Sequence, residues 1–98
     1  MITEIALFTA APGKTEELGA AILNGLEIIR QHPECVEARV ERCIEQPDQY
    51  AVINTWTSLE AHTERFRGGP LFPQWRAQIA GLFSGQPVVF HYRTLEKE

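Results

Sequence analysis

Along this chain apolar residues recur at two different spacings, and the changes between them mark out the elements. Residues 2 to 10 place Ile5 and Leu7 on one side and Ala6 and Phe8 on the other, as expected of a strand covered on both faces. "APGK" breaks the run. Leu18, Ala21, Ile22, Gly25 and Ile29 then recur at helical spacing, which predicts one amphipathic helix over 15–31. Thr15 is its expected N-cap, with Glu16 and Glu17 at the positive end of the helix dipole. Pro33 in "HPE" ends it, because proline cannot continue the hydrogen-bond ladder.

From Cys35 to Glu45 the pattern is strict alternation, with Val36, Ala38, Val40 and Ile44 opposite Glu37, Arg39, Glu41 and Glu45. "EQPDQ" reads as a turn, and Tyr50–Trp56 as the antiparallel return strand, with Tyr50, Val52, Asn54 and Trp56 on one face. The stretch "WTSLEAHTERF" follows. Thr57 and Glu60 have capping-box spacing, with Ser58 as the alternative cap of a short helix to about Arg67. Leu59, His62 and Phe66 share one face of it, which points an imidazole inward. "RGGP" interrupts, and a second helical piece carries Leu71 or Phe72, Trp75, Ile79 and Leu82 on its stripe. After "SGQP" comes a last strand, Val88–Leu95, in which Tyr92 shares a side with Val88 and Phe90 and is the residue expected to face inward rather than His91.

The order strand, helix, strand, strand, helix, strand predicts a ferredoxin-like α+β fold, βαββαβ, with a four-stranded antiparallel sheet and both helices on one face. The other face would stay open although several strands are apolar on both sides. A second copy packed there resolves the conflict, so a homodimer is expected.

With 98 residues, a single domain over 1–98 is expected. The net charge of −4 argues against a nucleic-acid partner, and the nearest basic cluster, Arg65 and Arg67, reads as solvated helix-end charge. The N-terminus is a poor signal peptide, and no apolar run approaches the roughly eighteen residues that span a bilayer. The expectation is a cytoplasmic protein with no membrane partner. Cys35 and Cys43 are too far apart along one strand, at about 3.3 Å per residue, to bond each other, so both are expected as reduced thiols. His32, Cys35 and His91 have no recognised metal-ligand spacing, "RGGP" is no phosphate loop, and no nucleophile elbow is present.

"HPEC" after the first helix, "YAVINTW" running into "TSLEAH", "GGPLFPQW", and "PVVFHY" in the last strand together resemble the antibiotic biosynthesis monooxygenase family, along nearly the whole chain. Many members carry Gly where this chain has Glu34. The resemblance implies a dimeric α+β barrel with a cavity between sheet and helices in each subunit. For some members it implies oxidation of phenols or hydroquinones by O₂ with no metal or flavin; others degrade haem, act on small signalling molecules or have no assigned reaction.

Such chemistry needs a base near neutrality, donors for a developing oxyanion and a dry aromatic pocket. His62 is the expected catalytic base, Asn54 the polar orienter, and Trp56, Phe66, Trp75 and Tyr92 the substrate-binding walls for a small aromatic molecule. No cofactor is expected. In phenol-oxidising members the strand asparagine falls one strand repeat earlier, where this chain has Val52. Haem degraders need a histidine ligand near Trp75 and an asparagine on the first strand, where "ALFTA" stands, so haem degradation is not expected. The alternative reading is a small-ligand-binding or stress-response dimer with the same fold and no reaction.

Overall fold

The computed structural model describes residues 1–96. Its strands are β1 (Ile2–Ala10), β2 (Cys35–Arg42), β3 (Gln49–Trp56) and β4 (Phe83–Tyr92), and its helices α1 (Thr15–Ile29) and α2 (Leu71–Ile79), with a π-helical turn at Ala61–Phe66 before α2. The sheet runs β2-β3-β1-β4, and every neighbouring pair is antiparallel. This is the ferredoxin-like arrangement expected from the element order. No helix among the described residues is long and apolar enough to cross a membrane.

The core forms where alternation in the strands meets the helical stripes. Ala6, Phe8 and Ala10 of β1 and Tyr50, Val52 and Trp56 of β3 are buried against Leu18, Ile22, Leu26 and Ile29 of α1 and Trp75 and Ile79 of α2. The α1–α2 contact is close because position 25 has no side chain. A Cβ on Gly25 would come within 2.5 Å of the Trp75 ring. Trp75 therefore lies down against α1 and meets Phe8 edge-on, with ring centroids 6.2 Å apart. That fixes one wall of the space between sheet and helices.

Several local expectations change. Lys14, not Thr15, precedes α1, and no side chain caps it; the Thr15 hydroxyl instead donates to the Asp48 carboxylate at 2.7 Å, tying the helix start to the β2–β3 turn. The capping expected of Thr57 falls to Ser58, whose Oγ accepts from the Ala61 N–H at 3.1 Å, while Thr57 Oγ1 donates to Glu34 at 3.1 Å. Strand β2 stops at Arg42 and is irregular between Cys35 and Glu37, so Val36 drops out of the alternation and is 53 % exposed; Ile44 lies beyond the strand. An inserted residue of this kind leaves one side chain unpaired and re-aims its neighbours. Strand β4 begins and ends earlier than expected, taking in "SGQP" and leaving Leu95 outside. Pro87 is tolerated there because β4 is an edge strand.

The open sheet face is divided. Glu37, Arg39 and Glu41 of β2 form a charged strip, with Arg39 bridging both acids at 3.0 and 3.4 Å. Across β1 and β4, Ile5 and Leu7 pair with Phe90 and Val88 in an apolar strip, with Tyr92 beyond. Val88, Phe90 and Tyr92 are each about half exposed or more in the single chain.

Candidate active site

Strand register assembles the site. Glu4, at the centre of the sheet, pairs across β1–β3 with Asn54 and across β1–β4 with His91. One row of three polar side chains thus crosses the face that the helices cover. Glu4 is only 6 % exposed. Its Oε1 accepts two hydrogen bonds from β3, from Asn54 Nδ2 at 3.1 Å and Trp56 Nε1 at 2.9 Å.

His62 comes down onto this row from the π-helical turn. The Arg67 N–H bonds the His62 carbonyl at 3.1 Å, an i→i+5 closure that widens the turn. The next two residues permit it, since a Cβ on Gly68 or Gly69 would meet the carbonyl oxygen of Glu64 or Arg65 at 2.6 or 2.7 Å. Widening also breaks the expected stripe: His62 and Phe66 are buried, whereas Leu59 turns out to 40 % exposure and Ala61 takes its place inside. A clamp holds the turn from outside. Arg65 donates to both Glu34 oxygens, at 2.6 and 2.9 Å, and holds that carboxyl below the usual range. Glu34 thereby links the start of β2 to the turn that carries His62.

Both ring nitrogens of His62 are engaged. Nδ1 lies 2.7 Å from His91 Nε2, and Nε2 lies 3.4 Å from Glu4 Oε2. The Trp56 ring stacks on the imidazole at 5.2 Å and 25°. Burial, with the positive charge of Arg67 and His91 adding to it, lowers the His62 pKa to about 3, and burial also raises Glu4 above 4.5 against its two hydrogen bonds. The 3.4 Å contact is therefore one between a neutral ring and a carboxyl group, not an imidazolium–carboxylate pair. Glu4, His62 and His91 form a line rather than a shell, and no group of three or more such side chains among the described residues is placed to hold a metal ion.

A cavity of about 200 Å³ opens beside this line. Glu4, Asn54 and His62 form its polar end, Phe8, Phe66, Phe72 and Trp75 its aromatic walls, and Arg67 and Arg76 its rim. Asn54 Oδ1 is buried there without a hydrogen-bond partner among the described residues. An engineered apolar cavity of about 150 Å³ holds benzene, so this space suits one substituted ring.

Of the residues singled out from sequence, His62, Asn54, Phe66 and Trp75 border the cavity. Trp56 does not; it is fully buried beneath His62 and acts as a donor to Glu4. Tyr92 is corrected outright: it is 51 % exposed on the open face, because the register that sets His91 opposite Glu4 turns its neighbour away. Glu4, His91 and Arg67 were missed. The signal for Glu4 was its parity with Ala6 and Phe8, an acid on the inward side of an apolar strand. Arg67 is exposed, as its reading as solvated charge expects, and it also borders the cavity. Cys35 and Cys43 are both free, and burial pushes the Cys35 thiol up to about 11, so it stays protonated.

Layers, register and cavity define a ferredoxin-like α+β protein with a ring-sized site between sheet and helices. The family model for antibiotic biosynthesis monooxygenases matches residues 1–78, and the chain belongs to that family. It is 27 % identical over 93 residues to the uncharacterized protein YczJ of Bacillus subtilis, covering 95 % of this chain and 98 % of that one. A solved structure from Bordetella bronchiseptica that bears the family's name superposes with a TM-score of 0.91 at 25 % identity, covering 97 % of both chains. Rv0793 of Mycobacterium tuberculosis is similar at TM-score 0.80 and 21 % identity, over 98 % of this chain and 96 % of that one, a likeness of fold.

The depressed His62 pKa has a testable sign. Between about 3 and 6.5 the unfolded chain binds a proton that folded His62 refuses, so its contribution to stability is complete above 6.5 and is lost as pH falls toward 3. Urea unfolding of the wild type and His62→Gln should show the wild-type advantage shrinking on acidification through that window. An advantage independent of pH would show that His62 is not held neutral.

Proposed function

We propose that this protein is a cofactor-independent monooxygenase of a single-ring phenol or hydroquinone. The observation that carries this reading is the unpaired Asn54 oxygen at the polar end of an aromatic cavity, beside the Glu4–His62–His91 line. An orphaned buried acceptor costs about 1–3 kcal/mol, and a substrate hydroxyl donating to it recovers much of that. Asn54 then acts as an acceptor that orients the substrate, rather than as a donor to its oxygen.

The base is the line, not His62 alone. With Glu4 ionised, His62 carries its proton on Nε2, facing Glu4, and Nδ1 accepts from His91. With Glu4 protonated, the order reverses: the carboxyl faces a bare Nε2, and Nδ1–H donates to His91. A proton taken from the substrate at Glu4 can thus pass along the line toward His91, which is half-buried, without charging His62. The long Glu4–His62 contact is of the kind that tightens when substrate binds. Accepting the proton neutralises a buried carboxylate, and the charge moves onto the substrate oxygen.

The electron-rich phenolate transfers one electron to O₂, giving an aryloxyl radical and superoxide. They recombine at a ring carbon as a peroxide anion, which takes up one proton to become a hydroperoxide. Loss of that carbon's hydrogen with O–O cleavage leaves one oxygen atom on the ring as a quinone carbonyl and releases the other as water. The aromatic walls exclude solvent from these intermediates.

The protein is further proposed to work as a homodimer, supported by the apolar strip over β1 and β4 that a single chain leaves open. Sedimentation should give a dimer, and Phe90→Glu should yield monomer; a monomeric wild type would overturn this.

Oxygen uptake tests the chemistry. With single-ring hydroquinones the wild type should consume O₂, and Glu4→Gln should lower turnover by about 10²–10⁴ while keeping an acceptor for Asn54 and Trp56. Undiminished turnover in that variant would remove the line from the mechanism. No uptake with any hydroquinone, alongside tight binding of one, would instead favour a binding protein without a reaction.

A further inference from the structure

The rim of the cavity carries two guanidinium groups that meet no carboxylate at ion-pair distance among the described residues. Arg30, Arg39, Arg42 and Arg65 each meet a carboxylate, with closest approaches of 2.6, 3.0, 3.1 and 2.6 Å. Arg93 lies away in the groove beyond β4. Arg67 and Arg76 both line the cavity, and neither has a carboxylate within ion-pair distance among the described residues. The Arg67 backbone N–H closes the turn on the His62 carbonyl, which sets where its side chain leaves the backbone. The Arg76 guanidinium sits 5.8 Å from the ring centres of both Phe72 and Phe83, held over two aromatic faces. On a chain of net charge −4, two exposed guanidinium groups with no ion-pair partner among the described residues stand at the mouth of one cavity, placed to receive an anion.

We infer that the cavity takes a hydroxylated aromatic carboxylate, with its hydroxyl on Asn54 and its carboxylate on Arg67 and Arg76. The inference rests on the reading of this cavity as the working site. The two ends enforce one orientation. A carboxylate pushed to the Glu4 end would face another buried acid, while at the rim it meets guanidinium forks suited to carboxylate oxygens. The hydroxyl belongs at the opposite end, where the Asn54 oxygen accepts and Glu4 can receive the proton. Between them Phe66, Phe72 and Trp75 cover the ring. Anchoring at the rim therefore also sets which hydroxyl reaches the base, making Arg67 and Arg76 specificity-determining residues.

Calorimetric binding under nitrogen separates this from the oxidation itself. The probes are 4-hydroxybenzoate and its methyl ester, which keeps the ring and hydroxyl but loses the charge. Wild-type protein should prefer the acid by at least about tenfold, as expected for charge-assisted hydrogen bonds, and added salt should weaken that preference. The double variant Arg67→Gln, Arg76→Gln should bind the ester as the wild type does but lose the preference; the retained ester affinity shows that it has folded. Equal affinity for acid and ester in the wild type, preference surviving in the double variant, or binding of neither probe would overturn the inference. Acid preference without oxygen uptake from any phenolic substrate would leave the anion site standing and remove the monooxygenase reading. Oxygen uptake with no acid preference would do the reverse.

Discussion

A carboxylate buried in the middle of a sheet is costly unless its surroundings are built around it, and here they are. Glu4 occupies the central strand position that Asn54 and His91 flank by register. The indole of Trp56 and the amide of Asn54 both spend their N–H groups on one of its oxygens. The other oxygen is left for His62. Remove the acid and three buried polar side chains lose their common partner. Trp56 would then be a large buried aromatic with an unmatched donor, and His62 would have no reason to stand over the sheet. The site follows from this one placement.

The helical layer completes it through a turn of unusual width. Had Ala61–Phe66 continued as ordinary α-helix, Leu59, His62 and Phe66 would have lined up and Leu59 would have filled part of the interior. The i→i+5 closure rotates Leu59 out, lowers His62 onto Glu4 and brings Arg67 to the rim. Gly68 and Gly69 make room for that closure, and the Glu34–Arg65 pair braces it from the solvent side. Burial then does the electrostatic part: it disfavours charge on His62 and on Glu4 alike.

What could be read from the sequence was whatever depends on periodicity. The alternation in β3 correctly put Tyr50, Val52, Asn54 and Trp56 on one face, and the helical stripes gave Leu18, Ile22, Ile29, Trp75 and Ile79 to the core. What could not be read depends on how separate elements register. Parity within β4 favoured Tyr92 over His91 through its apolar neighbours, and the pairing of β4 with β1 reverses that choice. The widened turn leaves no mark in a 3.6-residue pattern, so Leu59 was misplaced. Glu4 was visible as an acid on the inward side of β1, but its meaning came from two strands fifty residues and more away in sequence. The bulge at Val36 is likewise a pairing event, invisible in β2 alone.

The neutral relay is tested most directly by NMR of the histidine rings, following the ¹⁵N and ¹³C shifts of His62 and His91 from pH 4.5 to 8. The relay predicts that His62 stays neutral across the whole range, with its proton changing from Nδ1 to Nε2 as Glu4 ionises above its ordinary value of 4.5. A His62 imidazolium appearing with a pKa near the ordinary 6.5 would contradict it.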